Sequence, residues 1–218
     1  MQKKIILYIL IALALAISLL FLVKEVKLFQ SIDITPEEKP LIGSQLMYIP
    51  TSEKDPEYGN PGAALVIVEF TDFGCAKCQK IHAILYKFVT AHPLAAKMVW
   101  KDVPTSGWFS AGSKQAHEAA YCAFKQNKFW EFTNQVALDR ANLKDYNLKK
   151  IAEGLKLDMG QWQTCLTADE TKNKIQNSMD LASALGVNEL PGVFVNNKKV
   201  TIPDDVNFEE MLNNFIKE

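Results

Sequence analysis

The sequence predicts an α/β fold: a small sheet in two halves, a block of helices between them, and an apolar helix ahead of the whole. Three observations carry the prediction. The apolar run Leu65-Val66-Ile67-Val68-Glu69-Phe70 leads into Cys75-Ala76-Lys77-Cys78 and an amphipathic stretch. The region from about 105 to 168 shows helical spacing and no strand signal. Near the end, Val193-Phe194-Val195 and Lys199-Val200-Thr201 flank Asn196-Asn197. Asparagine tolerates φ > 0, so this reads as a tight hairpin.

Taken in order, residues 1–24 read as a membrane anchor. Ile5 to Val23 is a run of nineteen positions interrupted only by Tyr8 and Ser18. At about 1.5 Å per residue such a helix is roughly 28 Å long, enough to cross a hydrocarbon core. A cleaved secretory signal usually has a shorter apolar region followed by a small-x-small site. Here Lys24-Glu25-Val26-Lys27 follows instead, so an uncleaved signal-anchor is expected. Lys3 and Lys4 flank one end and Lys24 and Lys27 the other, a slight tilt toward the N-terminus inside. Four cysteines in two pairs suit an oxidising compartment, although a cytosolic redox enzyme can carry them too. The expectation is a single-pass protein of the cytoplasmic membrane, its folded domain facing the periplasm or the cell exterior.

Residues 25–60 hold Pro36, Pro40, Pro50 and Pro56 with no sustained period, and read as a tether with one short strand near Leu46 to Ile49. The folded domain is expected over 61–218. With 218 residues and 48% hydrophobic content, the chain can bury one sizeable core, and a net charge of −1 leaves no nucleic-acid footprint.

Within that domain the first strand is followed by a helix from about Cys75 to Ala91, and Lys97 to Val103 reads as a second strand. The insertion, about 105–168, holds helices near Ser113 to Gln126, Lys128 to Leu138, Asp145 to Leu155 and Met159 to Leu166. Phe129, Trp130 and Phe132 read as its core, while Trp108-Phe109 lies in the loop before it, lining a groove or packing between subdomains. A helix from Glu170 to Leu185 ends at Gly186, a natural C′ residue. Phe208, Met211, Leu212, Phe215 and Ile216 give a closing amphipathic helix. The order β-α-β, helices, α-β-β-α is that of the thioredoxin fold with a helical insertion.

The chemistry sits at Cys75 and Cys78. A strand ending in a short loop delivers Cys75 to a helix N-terminus, where unpaired N–H groups and the helix dipole favour a thiolate. Cys78 lies one turn further on, within reach of a disulfide. Lys77 adds a nearby cation. Strand, C-x-x-C and helix together point to dithiol–disulfide exchange, with an inert disulfide as the alternative. A zinc reading of Cys75, Cys78 and His82 lacks a fourth ligand by spacing, unless the fold brings His117 near. His82 otherwise reads as a helix-surface residue.

Three segments resemble the DsbA family of thiol–disulfide oxidoreductases, in its membrane-anchored bacterial form. They are Gly59-Asn60-Pro61 with the strand through Phe73, Cys75-Ala76-Lys77-Cys78 at the family's active-site position, and Leu185-Gly186-Val187-Asn188-Glu189-Leu190-Pro191-Gly192-Val193-Phe194-Val195-Asn196. The resemblance runs from about Gly59 to the end. It implies Cys75 as nucleophile, Cys78 as buried partner, and Glu69 beneath the disulfide as a proton-handling carboxylate, a solvent-facing position being its alternative. It implies a cis Leu190–Pro191 bond whose backbone takes part in substrate binding. It also suggests a structural disulfide between Cys122 and Cys165, two separate buried thiols being the alternative. Many oxidising relatives carry Pro-His or Pro-Tyr where this chain has Ala76-Lys77, and Thr or Val in place of Leu190.

The implied function is an oxidase introducing disulfides into unfolded exported proteins with free thiols, reoxidised by a quinone-linked membrane partner of the DsbB or vitamin K epoxide reductase type. No cofactor and no metal are expected, because the cysteine pair carries the electrons. A monomer is expected; isomerases of this superfamily tend to use a separate dimerisation domain, for which the short tether leaves little room, and this favours an oxidase. The alternatives are an isomerase or reductase of the same fold, and a non-enzymatic tethered chaperone or metal-binding module.

Overall fold

A computed structural model describes residues 48–105, 112–202 and 208–217, all within a unit running from Leu46 to Glu218. The anchor expected over 1–24, most of the tether and the Trp108-Phe109 pair lie outside the described residues. Among the described residues no helix is long and apolar enough to cross a membrane.

The elements are β1 (Glu57–Gly59), β2 (Leu65–Thr71), α1 (Ala76–Ala91), β3 (Ala96–Asp102), α2 (Ser113–Phe124), α3 (Phe129–Leu138), α4 (Asp145–Gly154), α5 (Met159–Thr167), α6 (Asp169–Ala184), β4 (Gly192–Val195), β5 (Lys198–Val200) and α7 (Phe208–Lys217). The sheet order is β1-β3-β2-β4-β5. β2 and β3 are parallel, joined by the α1 crossover; the other pairings are antiparallel. Helices α2 to α5 form the insertion between β3 and α6.

β2 is central and buried on both faces, which is why its sequence is a near-continuous apolar run. Leu65 and Ile67 pack with Ile81, Leu85 and Phe88 of α1 and with Phe208 and Leu212 of α7. Val68 and Phe70 pack on the opposite side with Phe194, Val99 and Ala182 of α6. A third cluster fills the insertion around Phe129, Phe132, Leu148 and Trp162. Trp130, expected there as core, is only half-buried, because its Nε1 donates to the Glu57 carbonyl at 3.0 Å.

At the hairpin, Asn196 and Asn197 adopt φ of 46° and 65°. Their side chains also work at a distance: the Val66 N–H donates to Asn196 Oδ1 at 2.9 Å, and the Ile49 N–H to Asn197 Oδ1 at 3.1 Å. Gly186, at φ 63°, follows α6 as the C′ residue.

The structure corrects the N-terminal boundary. Tyr48 and Ile49 form no strand, and Ile49 is instead buried against Val68, Phe70 and Phe194. The unforeseen strand is β1, which lies inside the expected tether and pairs with the edge of β3. With three residues it is too short to show a period; pairing partners decide it. Lys97 Nζ meets Glu57 at 3.2 Å, and the Trp100 N–H donates to the Pro56 carbonyl at 2.9 Å. Gly59 ends the strand at φ 105°, and a Cβ there would lie 2.5 Å from the Ala96 carbonyl oxygen. Residues 48–60 therefore belong to the folded unit, not to a tether.

Cys122 and Cys165 form a disulfide between α2 and α5, 43 residues apart in sequence. Closing a loop of that length in the unfolded chain contributes about 2–4 kcal/mol. A Cys122→Ala/Cys165→Ala variant should lower the urea midpoint by that free energy and leave Cys75 reactivity intact.

Candidate active site

β2 ends at Thr71, and four residues carry the chain to α1. Asp72 organises this loop. Its Oδ1 accepts the Gly74 N–H at 3.1 Å, and its carbonyl accepts the Cys75 N–H at 3.2 Å. Arg140 reaches the Gly74 carbonyl at 3.4 Å, and Gln79 Nε2 the Phe73 carbonyl at 3.2 Å.

Cys75 is the N-cap of α1, in extended backbone conformation, and its Sγ accepts the Cys78 N–H at 3.1 Å. Serine and threonine oxygens ordinarily play this part; a sulfur there receives a hydrogen bond that a thiolate accepts best. No acidic residue lies in the first turn to offset the helix dipole. Cys75 and Cys78 are joined as a disulfide with Cα atoms 5.2 Å apart. Cys75 is partly exposed, while Cys78 is fully buried. Attack from solution is therefore directed at the Cys75 sulfur.

The Leu190–Pro191 bond is cis, with Pro191 buried and Leu190 half-buried. β4 pairs with β2 so that Gly192 faces Phe70. Pro191 thus leaves the sheet at the end from which β2 runs on to Cys75.

Glu69 is completely buried, and its Oε2 lies 2.8 Å from His82 Nδ1. This removes one alternative and corrects one reading. Glu69 does not face solvent. His82 is not a surface residue: its side chain is 14% exposed, edge-on to Trp100 at 5.1 Å and parallel to Trp130 at 6.0 Å. Sequence spacing could not show this, because the partner lies on another element. The zinc grouping of Cys75, Cys78 and His82 also fails to assemble: the cysteines hold each other, and His82 holds Glu69. His117 is engaged elsewhere.

That engagement is an ion network the sequence did not reveal. His117, fully buried on α2, contacts Asp102 Oδ1 at 2.8 Å and Asp72 Oδ1 at 3.3 Å. Asp102 also accepts from Trp100 Nε1 at 2.8 Å and Lys174 Nζ at 2.9 Å. Lys174 and Lys101 both reach Asp55, at 3.3 and 2.7 Å. Thr105 donates to Asp72 at 2.5 Å, and Ser113 donates to it as well. With His117 protonated, three cations (Lys101, Lys174, His117) balance three carboxylates (Asp55, Asp72, Asp102). The signals were polar side chains at otherwise apolar positions: His117 in α2, and Lys174 one turn from Ser178 in α6.

Burial alone would raise the Asp72 pKa, but hydrogen bonds from His117, Ser113 and Thr105 outweigh it and hold it at about 2. Asp102 is also pushed down, burial being overcome first by Lys174 and then by His117. His117 goes the other way: burial lowers its pKa, and Asp102 and Asp72 more than restore it above the ordinary value. The signs give a pH window. A depressed carboxylate stabilises above its unfolded pKa of 3.8, and that stability is lost as pH falls toward about 2. The raised imidazole stabilises fully below its unfolded value of 6.5, and that contribution is lost as pH rises through its folded pKa. Urea unfolding followed from acid to alkaline pH should therefore show a plateau between these limits with a decline on both sides.

Comparison with known proteins agrees with this geometry. The family model described as thioredoxin matches residues 51–218. The chain belongs to the thioredoxin family. It carries a Cys75–Cys78 disulfide, partly exposed at Cys75 and buried at Cys78, and a helical insertion between the two halves of the sheet. Among solved structures, it is similar to a thioredoxin-like oxidoreductase from Silicibacter pomeroyi DSS-3 at 29% identity, covering 76% of this chain and 92% of that one with a TM-score of 0.66. The thiol-disulfide exchange protein alpha-DsbA2 from Wolbachia pipientis shares the fold at 19% identity, covering 76% of this chain and 87% of that one with a TM-score of 0.66. A curated relative is the Na(+)/H(+) antiporter NhaA 3 of Salinispora tropica, 25% identical over 147 residues, 67% of this chain but 22% of that protein. The thioredoxin-family chain thus spans about a fifth of that antiporter, and the match carries no transport activity to it.

Proposed function

We propose that this chain is an oxidase that introduces disulfides into unfolded exported proteins. The observation that carries the reading is Cys75 at the α1 N-cap, partly exposed, receiving the Cys78 N–H while disulfide-bonded to buried Cys78. A substrate thiolate attacks Cys75 Sγ; the Cys75–Cys78 bond breaks, Cys78 leaves with the electron pair, and a mixed disulfide forms. A second substrate thiol then displaces Cys75 as thiolate, so the substrate is oxidised by two electrons and the enzyme reduced. Stabilising the Cys75 thiolate makes Cys75 a good leaving group and the pair a stronger oxidant. The extended substrate lies along the Leu190–Pro191 backbone.

In this reading residues 1–24 hold the enzyme in the cytoplasmic membrane, with the catalytic domain on the periplasmic or exterior side. A quinone-linked membrane protein of the DsbB or vitamin K epoxide reductase type takes the electrons from reduced Cys75–Cys78. The deciding experiment is a redox titration of the full chain in glutathione buffers. A potential near about −120 mV supports the oxidase, and one near about −270 mV assigns the same site to reduction.

A further inference from the structure

The loop that presents Cys75 is built around a buried negative charge. The Asp72 side chain is fully buried, and its Oδ1 accepts the N–H of Gly74, the residue before Cys75, at 3.1 Å. Its own carbonyl accepts the Cys75 N–H at 3.2 Å. Left alone, such a carboxylate opposes a thiolate on Cys75, because like charges repel strongly where water is excluded. The exchange chemistry needs that thiolate.

His117 supplies the balance. Its Nε2 lies 3.3 Å from Asp72 Oδ1 and its Nδ1 lies 2.8 Å from Asp102 Oδ1. Ionised carboxylates only accept hydrogen bonds, so a ring that faces one from each nitrogen donates to both only as imidazolium. Burial lowers the pKa of His117, and the two carboxylates more than restore it above its ordinary value. The ring also packs on Phe73, centroids 4.7 Å apart, and Phe73 lies in the same loop.

We propose that His117 is a positioning residue for thiol exchange: through Asp72 it holds the Cys75 loop and cancels the buried charge that the Cys75 thiolate faces. This rests on the thiol-exchange reading above. When a second substrate thiol displaces Cys75 from the mixed disulfide, the Cys75 sulfur takes the electron pair of the broken S–S bond. It then meets a neutral Asp72–His117 pair in place of a bare anion. His117 keeps its proton throughout and passes none, so its complete burial is no obstacle.

The other charges around His117 are already committed. Asp102 of β3 is shared with Lys174 of α6 at 2.9 Å, and Lys174 also meets Asp55 at 3.3 Å. Thr105, beyond β3, and Ser113 of α2 donate to Asp72 but carry no charge. Glu118, next along α2, is half-buried, and burial pushes its pKa up. Nearer Cys75, Lys77 and Arg140 are exposed, so solvent and salt screen them.

The test is titration of the Cys75 thiolate in the reduced full chain, together with its redox equilibrium against glutathione. His117→Gln should raise the Cys75 pKa by about one unit. It should move the equilibrium about tenfold toward the disulfide. Asp72→Asn/His117→Gln removes both charges and should bring both readings back toward wild type. A wild-type Cys75 pKa in His117→Gln overturns the proposal. So does a raised pKa that persists undiminished in the double variant, since that marks loop packing alone. NMR of the wild-type chain with isotope-labelled histidine is a check that needs no variant: His117 should carry hydrogen on both nitrogens in neutral solution, and a neutral ring overturns the proposal. A wild-type Cys75 that titrates as an ordinary thiol removes the exchange reading itself, and the proposal with it.

Discussion

Cys75→Ser should lose disulfide transfer to a reduced, unfolded substrate entirely, while Cys78→Ser should be trapped as a mixed disulfide with a disulfide-containing protein that it attacks. The asymmetry follows from exposure: Cys75 is the partly exposed N-cap sulfur, and Cys78 is fully sealed. With serine at 75 no sulfur is reachable, and the rate should fall to that of uncatalysed exchange. With serine at 78, Cys75 still attacks disulfides from solution, but no internal thiol resolves the product. Non-reducing electrophoresis should therefore show a covalent adduct only in Cys78→Ser. Equal turnover in wild type and Cys75→Ser would remove the enzyme reading, and leave the tethered chaperone or metal-binding module expected as alternatives.

The second large effect is on stability. Asp102→Ala should destabilise the fold by about 3–5 kcal/mol, because it leaves buried cations without their partner. Asp102 accepts from Trp100, His117 and Lys174 together, so no other carboxylate substitutes for it. The penalty should be largest in mildly acidic solution, where His117 is protonated, and should shrink as pH rises through its folded pKa. Urea unfolding of the variant beside the wild type checks both points. The network also links the site to the frame: Asp72 caps the loop that delivers Cys75, and its Oδ1 touches both Gly74 N–H and His117. Loss of Asp102 should accordingly loosen the Cys75 loop as well as the fold.

The strand–loop–helix around Cys75 was legible because three local signals coincide there: a continuous apolar run, a change to helical spacing, and two cysteines at the change. The observed bounds of α1 to α6 lie within two residues of the expected ones, since each has its own apolar stripe. β1 was not legible, because Glu57-Tyr58-Gly59 has no period of its own and becomes a strand only by pairing with β3. Nor was the Glu69–His82 contact, which depends on how α1 lies across β2. Asp55, Lys101, Asp102, His117 and Lys174 gave no joint signal, their contacts joining positions as far apart in sequence as Asp55 and Lys174. What lay in local pattern could be read; what arose from elements meeting could not.

Alkylation of the reduced full chain by iodoacetamide, mapped by mass spectrometry across mildly acidic pH, tests the central claim most directly. The account predicts rapid, selective modification of Cys75 where ordinary cysteines barely react, with Cys78 protected. Modification of Cys75 only at the alkaline pH typical of an unperturbed thiol, or at the same rate as Cys78, would contradict it.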